Sequence, residues 1–249
     1  KKNFQTYIDF GASKIRIGIF NTDLPKNNYY KEENCLSNFD LNNINLEDSK
    51  KILKKLIIES EKELNSHIKN INLMIDVPDM QSIDFSIKKK LDVDNSIFDN
   101  IKFLLQEARQ LAQKNNDNKK IIHTIVEKYI LDERDYFEIP DEDIHYKTIA
   151  IEIKFICISN KFFEIITNHF KINHITIDNI LCSSYVKSLD YNNFFKIYDK
   201  KAFLDIGYKK SCLTVFEKEK LILIKNIPLG GNHITKDILV EDIHFRTRY

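Results

Sequence analysis

Two stretches of the chain repeat one hydrophobic pattern. Residues 8–20, IDFGASKIRIGIF, and residues 204–216, LDIGYKKSCLTVF, each read as strand, tight turn, strand. Aligned without a gap at an offset of 196, they match Asp9 with Asp205, Gly11 with Gly207, Lys14 with Lys210 and Phe20 with Phe216. Between them the pattern changes period several times. The polar run NTDLPKNNYYKEENC is a loop, after which Ile52, Leu53, Leu56, Ile57 and Leu64 recur at helical spacing in a helix starting near Asp48. INLMIDVP reads as a buried strand ended by Pro78, whose ring removes a ladder donor. A second amphipathic helix follows cap-competent Asn95 and Ser96, with Ile97, Ile101, Leu104, Leu105, Ala108 and Leu111 on its apolar face. IIHTIVEKYILD and YKTIAIEIKFICIS are strands flanking the acidic loop EIPDEDIH. NKFFEIITNHF is a short helix before the strand HITIDNI. The sum is an α/β protein interrupted by a compact αββ unit.

Composition narrows the function classes. At 249 residues and 43% hydrophobic content the chain can bury a sizeable core. Its 38 basic and 37 acidic residues leave no basic excess for a phosphate backbone, so nucleic acid is not an expected partner. Cys35, Cys157, Cys182 and Cys212 are scattered and form no CxxC pair, which suggests neither a disulfide framework nor a metal centre and fits reduced cytosol. No apolar run approaches the roughly 20 residues of a membrane span.

The doubled hairpin is where chemistry enters. A carboxylate at a strand end followed by glycine suits a magnesium nucleotide, because a turn without a Cβ lets backbone N–H groups approach phosphates. One Asp-x-Gly alone is equally a plain hairpin turn. Two related copies imply a duplicated fold with a cleft between its halves. His123 alternates with apolar neighbours and reads as a packed, satisfied histidine, and the acidic run Glu138 to Asp143 as a solvated loop lacking calcium-loop spacing. No catalytic residue is assigned, since no nucleophile motif is present.

YIDFGASKIRIGIF, IIHTIVEKYILDE, AFLDIG and NIPLGGNHITKDI together resemble the actin, sugar-kinase and heat-shock-chaperone superfamily and, within it, the FtsA family of bacterial actin-like cell-division proteins. The resemblance implies an actin-like (ribonuclease H-like) duplicated fold with an incomplete second half. Residues 1–80 and 155–200 would form subdomain 1A, 81–154 the inserted 1C subdomain, and 201–249 the start of subdomain 2A. It implies ATP and Mg2+ as ligands. Asp9 and Asp205 would lie near the metal, with Gly11, Ala12, Ser13, Lys14 and Gly207 at the phosphates. Gly230 and Gly231 would form the turn before a helix beside the cleft, capped by Asn232 or Thr235.

The second copy departs from the family's Asp-Ile-Gly-Gly-Gly-Thr-Thr-Asp: this chain has Asp205, Ile206, Gly207, Tyr208, Lys209, Lys210, Ser211, Cys212. Weakened nucleotide binding and at most a weak ATPase are therefore expected. Lys209 and Lys210 either offer charge to phosphate or are solvated. The family further implies a polymerising scaffold, self-associating through residues 81–154, that links FtsZ and other division proteins to the cytoplasmic face of the inner membrane at the division site. The adenosine segment, the FtsZ-docking subdomain and the C-terminal membrane helix have no match in these 249 residues, so direct membrane binding is not expected of them. An ATPase or phosphotransferase enzyme and a pilus-assembly relative are the alternatives.

Overall fold

The computed structural model describes residues 4–21, 29–35, 46–90, 96–140, 146–172 and 174–246. The first repeat builds one half of a five-stranded sheet. β1 (Phe4–Phe10), β2 (Lys14–Asn21) and β3 (Tyr29–Asn34) form an antiparallel meander, and β4 (Asn70–Ile75) and β9 (Thr176–Cys182) extend it in parallel, in the order β3-β2-β1-β4-β9. Alternation decides what is buried: Ile8 and Phe10 on β1 and Ile15, Ile17 and Ile19 on β2 are all 0% exposed. Leu53 and Leu56 of α1 (Glu47–Leu64) join this core, as do Phe162, Ile166 and Phe170 of α3 (Asn160–Lys171). Both helices fall where the apolar stripes predict them. α1 ends at Asn65, which takes a left-handed conformation.

The inserted unit has more strands than αββ. β5 (Gln81–Lys90), α2 (Ile97–Asn115), β6 (Lys119–Leu131), the three-residue β7 (Arg134–Tyr136) and β8 (Thr148–Ser159) make an antiparallel sheet in the order β5-β8-β6-β7. Ser96 caps α2, its side chain accepting from the Asp99 N–H at 3.2 Å, whereas Asn95 and residues 141–145 of the acidic loop lie outside the described residues. Successive side chains of β8 serve different cores. Ile149, Ile151, Ile153, Phe155 and Cys157 pack toward α2, while Ile156 and Ile158 belong to the main core. Between these, buried Lys154 is neutralised by Asp84 and, at 3.1 Å, by Glu127. The inserted sheet is thus bonded into the body by its own central strand, which runs past residue 154.

β10 (Lys200–Ile206), β11 (Ser211–Glu217) and β12 (Lys220–Ile227) form the second meander, followed by α5 (Gly231–Arg246). The repeat is structural as well as textual: Asp9 pairs with Arg16 across the first hairpin and Asp205 with Cys212 across the second, the same register at the same offset. Their surroundings differ. Leu204 and Ile206 are 54% and 59% exposed where Ile8 and Phe10 are fully buried, because β4 and the helices cover β1, and β10 has no second neighbour among the described residues. α4 (Ser183–Phe194), absent from the sequence reading, connects the two halves. Among the described residues no helix is long and apolar enough to cross a membrane.

Candidate functional site

The site forms at the carboxyl ends of parallel strands. Phe10, Ile75 and Cys182 stand level across β1, β4 and β9, so the residues that follow them, Gly11, Asp76 and Ser183, emerge at one edge. The second hairpin turn faces that edge, and the two turns enclose a cleft of about 210 Å³. In the first turn the Gly11 N–H donates to the Lys14 carbonyl at 3.0 Å; in the second the Gly207 N–H donates to the Lys210 carbonyl at 2.9 Å. Glycine is needed for room and not for a left-handed φ. A Cβ on Gly11 or Gly207 would sit 2.9 or 2.8 Å from those same carbonyl oxygens.

Asp9, Gly11, Ala12, Ser13, Lys14, Asp205 and Gly207 all line the cleft. Gly230 and Gly231 lie behind it. The Gly231 N–H donates to the Gly207 carbonyl and the Asn232 N–H to the Tyr208 carbonyl, both at 2.9 Å, so the start of α5 braces the second turn. A Cβ on Gly230 would lie 2.5–2.6 Å from three backbone atoms of that turn. The helix begins at Gly231, which places Asn232 in its first turn and Thr235 at the start of its second instead of at the cap, and Thr235 Oγ1 donates back to the Gly231 carbonyl at 3.0 Å.

The electrostatics rest on residues that sequence reasoning left aside: Arg16, Asp76, Ser183, Ser184 and Lys187. Asp9 accepts from the Arg16 guanidinium at 2.9 Å and from the Ser183 hydroxyl at 3.0 Å. Asp205 is paired with Lys187 at 3.3 Å. Ser184 Oγ lies between Asp76 Oδ2 and, at 3.1 Å, Asp205 Oδ2, donating to one at a time. Lys210 is neither solvated nor open to the cleft mouth. It is 5% exposed, and its ammonium stands 2.5 Å from Asp76 Oδ1, an ion pair and not a directed hydrogen bond. It also donates to Asn226 Oδ1 at 2.8 Å, and the Asn226 amide donates in turn to the Met80 carbonyl at 2.5 Å.

Each carboxylate thus holds a cation of the protein, and the lining carries five cationic side chains (Lys14, Arg16, Lys187, Lys209, Lys210) against three acids, with Glu32 at the rim as a fourth. At the rim, Lys14 donates to Glu32 at 2.6 Å, and this bond above all holds the Glu32 carboxyl down to about 2. His123 is a satisfied histidine as expected. Its Nε2 accepts from the Cys182 N–H at 2.8 Å, its ring packs edge-on against Tyr185, and burial pushes it down to about 4.

No protein-family model and no curated protein matches the chain. Solved structures do. A chain of a PilM-PilN type IV pilus biogenesis complex superposes with a TM-score of 0.60 at 8% identity, over 95% of this chain and 64% of that one. A Bacteroides thetaiotaomicron protein of actin-like ATPase fold and unknown function gives 0.44 at 15% identity, over 99% and 77%. The ethanolamine utilization protein EutJ of Carboxydothermus hydrogenoformans gives 0.48 at 10% identity, over 94% and 54%. The fold is an actin-like α/β fold, shared with the pilus-complex chain. Within that fold, the chain spans about two thirds of the pilus-complex chain, 64% of its length.

Proposed function

We propose that this chain is part of an actin-type scaffold whose cleft holds a nucleotide polyphosphate as a structural ligand. The observation that carries this reading is the pair of hairpin turns, identical in register, facing one another across a single positively lined cleft. Phosphate fits these residues, since turn backbone and surplus positive charge converge there. Magnesium fits them poorly, because Asp9, Asp76 and Asp205 are each already engaged by a protein cation. An enzyme reading is weaker for the same reason: a paired carboxylate is a poor general base.

Within the scaffold class we favour an FtsA-type division protein linking FtsZ to the inner membrane, on the strength of NIPLGGNHITKDI and the inserted subdomain. Its assembly surface would be residues 81–154, where Phe98 and Phe103 of α2 are each 50% exposed. A pilus-assembly scaffold is the second reading, favoured by the PilM-PilN superposition. A reading frame that continues into a terminal amphipathic helix supports the division role, and one without it the pilus role.

The ligand is tested by titrating a fluorescent ATP analogue into wild type and Gly11→Val. The variant drives a side chain into the Lys14 carbonyl and is expected to bind at least about tenfold more weakly. Equal binding would remove the first turn from the phosphate site. Light scattering tests the surface: Phe103→Glu is expected to suppress concentration-dependent assembly, and unchanged assembly would overturn the assignment of α2.

A further inference from the structure

We propose that the Lys210 ammonium stands where a divalent cation would otherwise sit, so that this cleft receives its polyphosphate without metal. The inference rests on the nucleotide reading above. Lys210 is firmly held. Its ammonium is pinned between Asp76 Oδ1 at 2.5 Å and Asn226 Oδ1 at 2.8 Å, and Asn226 is itself fixed by the Met80 carbonyl. A cation with 5% exposure, paired on one side and hydrogen-bonded on another, does not swing into solvent to make way for a metal.

The other carboxylates are each engaged as well, Asp9 through both oxygens and Asp205 through Oδ2. Asp76 Oδ2 faces the Ser184 hydroxyl, Asp205 holds Lys187, and Asp9 holds Arg16 and Ser183. Magnesium requires about six oxygen ligands in near-octahedral geometry and gives up its waters reluctantly. To enter here it would have to break these pairs and settle among three cationic heads. A polyphosphate faces the opposite balance. With Glu32 at the rim counted, five positive side chains still face four negative ones, a balance that favours an anion over a second cation, and Lys210 neutralises Asp76 where a metal would otherwise be needed.

The duplicated position sharpens the point. Lys14, the counterpart of Lys210, is 37% exposed and spends its charge on Glu32 at the rim. The counterpart of Glu32 on the third strand of the second meander is neutral Asn226, opposite Cys212 as Glu32 is opposite Arg16. The charge of Lys210 is therefore available to Asp76 inside the cleft.

Equilibrium titration of a fluorescent ATP analogue, in excess EDTA and in excess magnesium, tests this on wild type, Lys210→Met and Lys210→Arg. Wild type and Lys210→Arg are expected to change affinity by less than about threefold between the two conditions. Lys210→Met, which bares Asp76, is expected to tighten by about tenfold or more when magnesium is added. Wild type tightening tenfold with magnesium overturns the inference and leaves the nucleotide reading standing. Lys210→Met that stays indifferent to magnesium also overturns it. Should Lys210→Met fail to fold, the Lys210→Met/Asp76→Asn pair, which removes both charges, takes its place, with metal-independent binding expected and magnesium dependence overturning.

If the analogue binds under neither condition, the nucleotide reading falls, and manganese alone, followed by the paramagnetic resonance of the free ion, decides the metal question. Wild type leaving manganese free while Lys210→Met captures it supports the cation replacement. Equal capture by both refutes it.

Discussion

Acidification is expected to loosen the cleft through one side chain outside it. His123 of β6 accepts the Cys182 N–H at 2.8 Å, and Cys182 is the fully buried residue from which α4 starts. The two residues that follow, Ser183 and Ser184, reach Asp9, Asp76 and Asp205. Because Nε2 accepts, the imidazole is neutral with its proton on Nδ1; a proton on Nε2 would set donor against donor and leave a buried N–H unpaired. Burial holds the folded group at about 4 against an ordinary 6.5. Between those values the unfolded chain binds more protons than the folded one, so stability falls as pH falls through this window. The gap amounts to about 3 kcal/mol when complete, about 2 kcal/mol of it by pH 5. The exposed carboxylates held low, Glu32, Glu59 and Asp132, act in the same direction but give up their contribution only near and below their unfolded values of 4.5 and 3.8. The interval from about pH 7 to 5 therefore isolates the histidine. The chain has no tryptophan, so urea unfolding is best followed by circular dichroism, for wild type and His123→Gln, whose amide oxygen retains an acceptor without titrating. The variant should lose markedly less stability than wild type across the interval. Identical pH profiles would refute the assignment.

Two further outcomes follow from local geometry. Gly230→Ala forces a Cβ against the Gly207 and Tyr208 carbonyls and the Lys210 nitrogen, and should destabilise by about 2–4 kcal/mol with early hydrogen exchange in α5. Gly231→Ala, whose Cβ would meet only the Gly207 carbonyl at 3.9 Å, should be tolerated within about 1 kcal/mol, and equal behaviour of the two would contradict the bracing role of Gly230. Ser96→Ala removes the cap of α2 and should cost about 1 kcal/mol in thermal unfolding, with Ser96→Asp restoring it.

What the sequence announced was whatever an apolar stripe announces. α1, α2 and α3 each present large aliphatic or aromatic residues at helical spacing, and all three form where that spacing places them. α4 was invisible for a physical reason: its buried positions are Ser183, Ser184, Ser188 and Asn192, polar groups with no stripe to read. β5 alternates Ile83, Phe85 and Ile87 with Ser82, Asp84, Ser86 and Lys88, a half-wet strand beside a run of lysines. β8 was legible as a strand, but not as one that divides its side chains between two cores, because that depends on what each face meets.

The cleft was legible in its turns and hidden in its charges. The turns repeat along the sequence, whereas the pairs are made across it, between residues 9 and 16, 205 and 187, and 210 and 76. Register supplies part of what repetition does not. Once β4 runs parallel to β1 with Ile75 level with Phe10, Asp76 must emerge beside Gly11, and the antiparallel hairpin brings Arg16 to Asp9 without further folding information. Register also accounts for the different partners of the two lysines. Each reaches the third-strand residue opposite the partner of its aspartate, Glu32 in the first meander and Asn226 in the second. A carboxylate there neutralises the lysine within its own hairpin; an amide orients the ammonium and leaves its charge unspent. With Asp76 beside it, that unspent charge binds the second turn to the first half of the molecule, so the residue that distinguishes the two copies lies on the third strand and not in either turn.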